Sequence, residues 1–330
     1  MVMKNFARIR SSAKKELQNI SAAENYKKKI FLAINSCIIC NSKPRKILLN
    51  KILYKNEKYI NFPVSTCFKC GFGQQLFKFD NKFHNFYYKN IISKNLKINK
   101  SILKKNYSIS FKRGQLIFEK YKKIIGKKKM KILDLGSGTG GLLKSFEERG
   151  HEVFGIEPNY KYFKFSKNYL KNIVNKNFED YKYPSNFFDL VLIIGTLEHV
   201  NNPIKTLEEV NRITKKNSIM IVDSKGYPND ILNNYFNFNH HRCFTIKTLT
   251  YFLNNYNWNK INLNYNFNYT KLKADKKIYS KDRKHKKIKK GNIIGIFKKL
   301  DKKIKYKIKK DLFFDKIKKN SEDNLINYFA

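Results

Sequence analysis

In ILDLGSGTGG, residues 132–141, an apolar run gives way to closely spaced glycines. The apolar run MKILDL (130–135) has the make-up of a buried strand, and it stops at a cluster of glycines. Leu142, Leu143 and Phe146 then recur at near-helical spacing until Gly150. A strand passes through a glycine turn into a helix. Glycines at 136, 138 and 140 keep side chains out of the space where a ligand can approach the backbone.

The same alternation continues outward. HEVFGIE (151–157) reads as a second strand, followed by a helix from Tyr160 to Lys171 and a short strand NIV (172–174). FFDLVLIIG (187–195) is a fourth strand. PIKTLEEVNRIT (203–214) is a helix opened by Pro203, and SIMIVDS (218–224) is a fifth strand. TIKTLTYFLNNY (245–256) adds a helix capped by Thr245, and INLNYNFNY (261–269) a last strand. This order predicts an α/β domain with a Rossmann-like, doubly wound sheet over 127–270. Glu157 ends the second strand about 20 residues after the glycine turn, where a carboxylate accepts hydrogen bonds from both ribose hydroxyls.

The glycine spacing is D-x-G-x-G-x-G, starting at Asp134, rather than G-x-G-x-x-G. That spacing favours S-adenosyl-L-methionine over NAD, and the charged sulfonium suits a nearby carboxylate. ILDLGSGTG, GIEPN and LIIGTLEHV resemble the first three landmark motifs of class I methyltransferases, a resemblance covering about residues 110–258. It implies cofactor contacts from Asp134, Gly136, Ser137, Gly138, Gly140 and Glu157. It also places Asn177 and Phe178 beside the adenine, with Asn177 where the family commonly carries Asp.

Four of the five cysteines form two CxxC pairs, Cys37/Cys40 and Cys67/Cys70, separated by residues 41–66. Each pair puts two thiolates on one tight turn, and two such turns close a tetrahedron around zinc. With four protein ligands the site is structural, and Gly71 suits the second turn. Metal also explains how a module over 37–80 with few strong core positions folds. Cys243 has no partner by spacing and reads as a buried thiol. A zinc module before this type of domain resembles the sugar C-methyltransferases and their relatives in polysaccharide synthesis, as does the Tyr87–Tyr88 pair. In that family NHHRCFT (239–245) aligns with the EHxxYFS element. His240 then falls on the catalytic His, Phe244 on its Phe, Thr245 on its Ser and Asn239 in place of its Glu. His240, His241 and, after the fourth strand, His199 are the candidate catalytic residues. The related quinone O-methyltransferases carry an E-x-x-E-H metal pattern here; this chain has Gly195 at the first acid, so no catalytic metal is expected.

The chain of 330 residues is 42% hydrophobic and 15% aromatic, which excludes a disordered protein. Its net charge is +45. One reading is a polyanionic partner. The other is AT-rich codon usage, which favours Lys, Asn, Ile, Phe and Tyr together. No signal peptide or membrane-spanning run is evident, since IFLAINSCIIC is broken by Asn35 and Ser36. A reducing cytoplasmic location is expected, with peripheral attachment to the inner membrane face as a variant. Residues 1–36 read as a helical leader, 81–126 as connecting helices, and 271–330 as a basic helical tail. In that tail Ile293, Phe297, Leu300, Ile304 and Ile308 lie at helical spacing among lysines. Such a tail fits an anionic membrane surface, a nucleic-acid arm or a helix packed on the domain. The expected function is methylation of a small molecule, most of all a nucleotide-linked or polymer-bound sugar. The rivals are an RNA methyltransferase and a non-catalytic scaffold that binds the cofactor.

Overall fold

The computed structural model describes residues 31–43, 45–55, 58–88, 98–126, 128–224, 239–267 and 292–301. Its centre is a seven-stranded sheet. Five strands are parallel: β6 (Lys131–Leu135), β7 (Glu152–Ile156), β8 (Ile173–Val174), β9 (Phe188–Ile194) and β10 (Thr214–Ser224). Two further strands, β12 (Trp258–Phe267) and β13 (Asn292–Lys299), complete the order β12-β13-β10-β9-β6-β7-β8. β13 is antiparallel to both its neighbours. The central strand β9 is FDLVLII, buried at every position but Asp189, as a strand covered on both faces must be. From β6 the chain steps outward through β7 to β8, and then returns to place β9 and β10 on β6's other side. Strand order therefore reverses between β6 and β9, and a crevice opens above their carboxyl ends.

Helices cover both faces. On one face α2 (Lys100–Ile125) and α3 (Gly141–Glu147) bury Ile117, Tyr121 and Phe146 against Ile132, Leu190 and Ile294. α2 and α3 approach very closely. A Cβ at Gly114 would overlap the Ser145 side chain, and one at Gly141 would overlap the Tyr107 carbonyl. α4 (Tyr160–Ser166) follows β7. On the other face α5 (Pro203–Ile213) is capped by Asn202 and begins with proline. α6 (Ile246–Asn254) starts at the expected Thr245, whose side chain and that of Thr248 form a reciprocal capping box.

The cysteine module is a second, smaller sheet. β2 (Arg45–Lys55) and β3 (Lys58–Cys67) form a hairpin, β4 (Gly73–Gln75) joins β3, and the pair β1 (Phe31–Ala33) and β5 (Phe77–Phe79) lies apart. The fourth strand of the sheet, β11 (Arg242–Cys243), comes from the C-terminal half of the chain. The module is thus sewn to the large domain rather than tethered to it. α1 (Asn81–Phe86), capped by Asp80, leads on towards the crevice.

Three sequence expectations are corrected. Residues 292–299 are a strand, not part of a helical tail. Residues 293–297 are all buried, and a short apolar run buried on both faces has no periodicity that separates it from a helix. The domain consequently runs past 270 to Lys299, whose ammonium donates to the Asn211 and Thr214 carbonyls at 2.6 and 2.7 Å. Residues 31–33 of the leader are also a strand, recruited by β5. The rest of the leader (1–30), the lysine-rich 271–291 and the tail from 302 onward, with Ile304 and Ile308, lie outside the described residues. Among the described residues no helix is long and apolar enough to cross a membrane. Replacing Gly114 by valine is expected to force α2 off α3 and lower unfolding free energy by about 1–3 kcal/mol or more in denaturant titrations.

Candidate active site

The glycine turn has the conformation its sequence requires. Gly136, Gly138 and Gly140 have φ of +75°, +55° and +80°. At Gly136 a Cβ would strike Thr196, whereas at Gly138 it would project into open space, the gap a ligand needs beside the backbone. Glu157 bridges this turn to the next one. One carboxylate oxygen accepts the Gly138 amide at 2.8 Å, and the other accepts the Asn159 amide at 2.7 Å. Burial outweighs these two bonds and pushes the carboxyl up to about 7. Asn177 is half buried and bonded to Asp180; Phe178 is buried beside it, and both line the same cavity. Ser137 is buried, and its hydroxyl finds no partner among the described residues.

Sequence reasoning missed Arg113. On α2, it pairs with the fully buried Asp223 at the end of β10 and comes within 4.0 Å of where a Cβ on the cavity-lining Gly195 would stand. Asp134 lies in the same region. Burial raises its carboxyl well above the usual range, opposed by the Arg113 charge. One cation and two buried acids, at the ends of β6 and β10, suit the zwitterionic end of an amino acid.

The opposite wall carries a histidine–tyrosine cluster. His199 and Val200, after β9, line the cavity with His84 and Tyr88. The Tyr88 hydroxyl lies 3.1 Å from His199 Nδ1, and burial keeps that phenol well above its ordinary pKa and therefore protonated. His84 Nε2 donates to the His199 carbonyl at 3.2 Å, and burial lowers this imidazole to about 4, so it stays neutral. His240 stacks edge-on against His199, with centroids 4.7 Å apart, from behind the cavity wall. His241 points away, against Phe79 and His84, and burial keeps its ring neutral. Tyr87 donates to Asn239, the residue at the aligned Glu position, at 2.6 Å. His84 was not among the expected residues. It lies one helical turn before Tyr88, the only signal the sequence offers for it.

The four cysteines of the two pairs converge, with all sulfurs within 4.8 Å of one another. Cys37–Cys70 and Cys40–Cys67 lie at 3.5 Å, too long for disulfides. Hydrogen bonding to Cys40, together with burial, pushes the Cys37 thiol up to about 12, while its partner Cys40 is held low. So crowded a set shares its charge poorly without a cation, and the donor chemistry fits a thiophilic, tetrahedral metal. Cys243 is a buried thiol apart from this group.

Part of the chain is similar to known proteins. Residues 111–272 match the family model described as a methyltransferase domain. An uncharacterized protein of Methanocaldococcus jannaschii is 37% identical over 114 residues, 33% of this chain and 48% of that protein. A ubiquinone biosynthesis O-methyltransferase of Pelagibacter ubique is 33% identical over 102 residues, 29% of this chain and 42% of that protein. The matched stretch thus spans less than half the length of these curated relatives. A solved S-adenosylmethionine-dependent methyltransferase from Archaeoglobus fulgidus aligns with 56% of this chain and 94% of its own. It does so at 20% identity and a TM-score of 0.43. Residues 111–272, just under half of the chain, are thus similar to methyltransferase domains.

Because the folded pKa of Glu157 is raised, the folded apoprotein holds a proton that the unfolded chain has already released. The stability tied to that proton is complete below the ordinary carboxylate range and is lost as pH rises through about 7. Glu157→Gln is therefore expected to melt above the parent at pH 8, with the gap closing towards pH 5. The same variant should bind S-adenosylhomocysteine about 10–100-fold more weakly by calorimetry, having lost a charged hydrogen-bond acceptor.

Proposed function

We propose that the protein transfers the methyl group of S-adenosylmethionine to a small-molecule acceptor, and that this acceptor is a nucleotide-linked or polymer-bound sugar. The observation that carries the reading is a single cavity. It joins Gly136, Gly138, Glu157 and Phe178 on the donor side to His84, Tyr88 and His199 on the other. Bound there, the cofactor supplies a methyl group on a cationic sulfur. Glu157 holds the ribose, the Arg113–Asp223–Asp134 group holds the amino-acid end, and Phe178 packs against the base. Alignment of donor and acceptor inside a site that excludes water accounts for much of such a displacement. His199 takes the proton the acceptor releases, Tyr88 fixes the orientation of its ring, and His240 supports it from behind. The small-molecule reading is supported by the resemblance to a ubiquinone biosynthesis O-methyltransferase. The sugar reading rests on the paired CxxC module and the NHHRCFT element. The four cysteines would hold zinc in a closed structural site, with thiolates that suit a reducing cytoplasm.

Labelled methyl from S-adenosylmethionine is expected to enter a low-mass nucleotide-sugar extract and not total RNA. Label confined to RNA would overturn the acceptor assignment. His199→Ala is expected to lower kcat by about 10²–10⁴-fold while leaving S-adenosylhomocysteine affinity unchanged. Equal activity of that variant and the parent would remove His199 from the chemistry.

A further inference from the structure

The loop that carries His199 has an unusual set of partners. Five consecutive carbonyls, from Leu197 to Asn201, each accept a hydrogen bond from β11, its neighbour His241 or the segment after β5. The Arg242 guanidinium donates to Leu197 at 3.1 Å, to Val200, and to Asn201 at 3.5 Å. The His241 amide donates to Glu198 at 3.0 Å, and His84 Nε2 to His199 at 3.2 Å. Asn201 returns the contact by donating to the Phe79 carbonyl of β5 at 3.0 Å.

These donors are anchored to the cysteine module. Arg242 and Cys243 are the two residues of β11, in register with Gln74 and Gly73 of β4. Gly73 stands three residues after Cys70, on the turn closed by the Gly71 amide to the Cys67 carbonyl at 2.8 Å. Gln75 clamps the same segment twice, with its amide on the His241 carbonyl at 2.9 Å and its side chain on the His240 carbonyl at 3.0 Å. Arg242 is only 3% exposed. The glycine turn of the donor half has bonds of its own: the Gly136 amide donates to the Ile156 carbonyl, the Gly138 amide to the Glu157 carboxylate and the Gly140 amide to the Ser137 carbonyl. The two halves touch at Thr196, which donates to the Leu135 carbonyl at 2.7 Å, at Asn159, whose side chain donates to the Tyr88 carbonyl at 3.3 Å, and at Asn85, which donates to Asp180 at 2.9 Å.

We infer that Arg242 is a positioning residue that couples metal occupancy of the four-cysteine site to the order of the 197–201 loop, and hence to the acceptor side of the pocket, while cofactor binding stays independent of both. The inference rests on the methyltransferase reading and on the cysteines holding zinc. Loss of the metal frees the Cys67–Cys70 turn, then β4, then β11, and Arg242 releases the carbonyls it gathers. The acceptor wall loosens while the glycine turn and Glu157 keep their own bonds. Of these donors only the guanidinium serves three carbonyls at once; a lysine in its place serves fewer.

The test is hydrogen exchange on the full chain, zinc-loaded and chelator-stripped, with S-adenosylhomocysteine affinity measured on the same samples. The His199 and Val200 amides, both bonded to the Thr196 carbonyl, are the reporters. Stripping is expected to speed exchange across 197–201 and 239–243 about tenfold or more, with cofactor affinity changed less than about twofold. Zinc-loaded Arg242→Leu should reproduce the loop effect with the metal still bound, and Arg242→Lys should restore part of the protection. Should Arg242→Leu fail to fold, the stripped parent and Arg242→Lys decide the matter. The inference is overturned if the protein carries no metal, if stripping leaves loop exchange unchanged, or if cofactor affinity falls in step with loop protection. Failure of the methyltransferase reading looks different: the metal-loaded parent then binds no S-adenosylhomocysteine.

Discussion

One carboxylate, Glu157, spans the two turns that meet above the reversed strand order, and the donor site depends on it. It stands at the end of β7 because the β7 amides pair with β6 and β8, which brings its side chain beside the glycine turn. It is buried because the crevice is lined by apolar strand ends. Burial disfavours its charge, and the two backbone amides it accepts offset only part of that cost. On the proposed function, a ribose would offer the same carboxylate two hydroxyl donors, and the charged form would be better satisfied with cofactor bound than without it. A group destabilised in the empty protein is thereby suited to selecting its ligand.

The acceptor half is built on a different principle. Its walls are the loop after β9 and the end of α1, with the two-residue strand β11 bonded behind that loop. What makes them definite is the second sheet, to which β11 contributes the last strand. The cysteine module is therefore part of the pocket's framework. Phe72 of the module packs on Phe244 next to β11, with centroids 5.1 Å apart, and both belong to the same core as Leu207 and Phe252 of the large domain. Two scaffolds, one mostly parallel and one antiparallel, thus meet at a single cavity.

How much of this was legible in the sequence depended on whether the signal was local. The glycine turn, Glu157, the Thr245 cap and the two CxxC turns are short-range patterns whose chemistry demands particular residues at fixed spacing. Strand β13 was not legible, because its residues 293–297, IIGIF, are all buried and carry no period of two. Its lysine-rich flanks also belong to a chain of strongly basic composition. Arg113, His84 and Arg242 were missed because their meaning is entirely tertiary: α2, α1 and β11 are far from the glycine turn in sequence. One weak sign was present. Arginine is scarce beside lysine in this chain, and arginine is the side chain suited to a buried, multiply bonded cation. His240 and His241, adjacent in sequence, end in different surroundings, since neighbouring residues of an extended segment face opposite ways. The first stacks on His199 and the second faces Phe79.

The most direct measurement of the central claim is a crystal structure of the full chain with S-adenosylhomocysteine bound. The ribose hydroxyls are expected on Glu157, the amino-acid end beside Arg113, and the sulfur directed across the cavity at Tyr88 and His199. A cofactor bound elsewhere, or one whose sulfur faces away from that cluster, would contradict that claim.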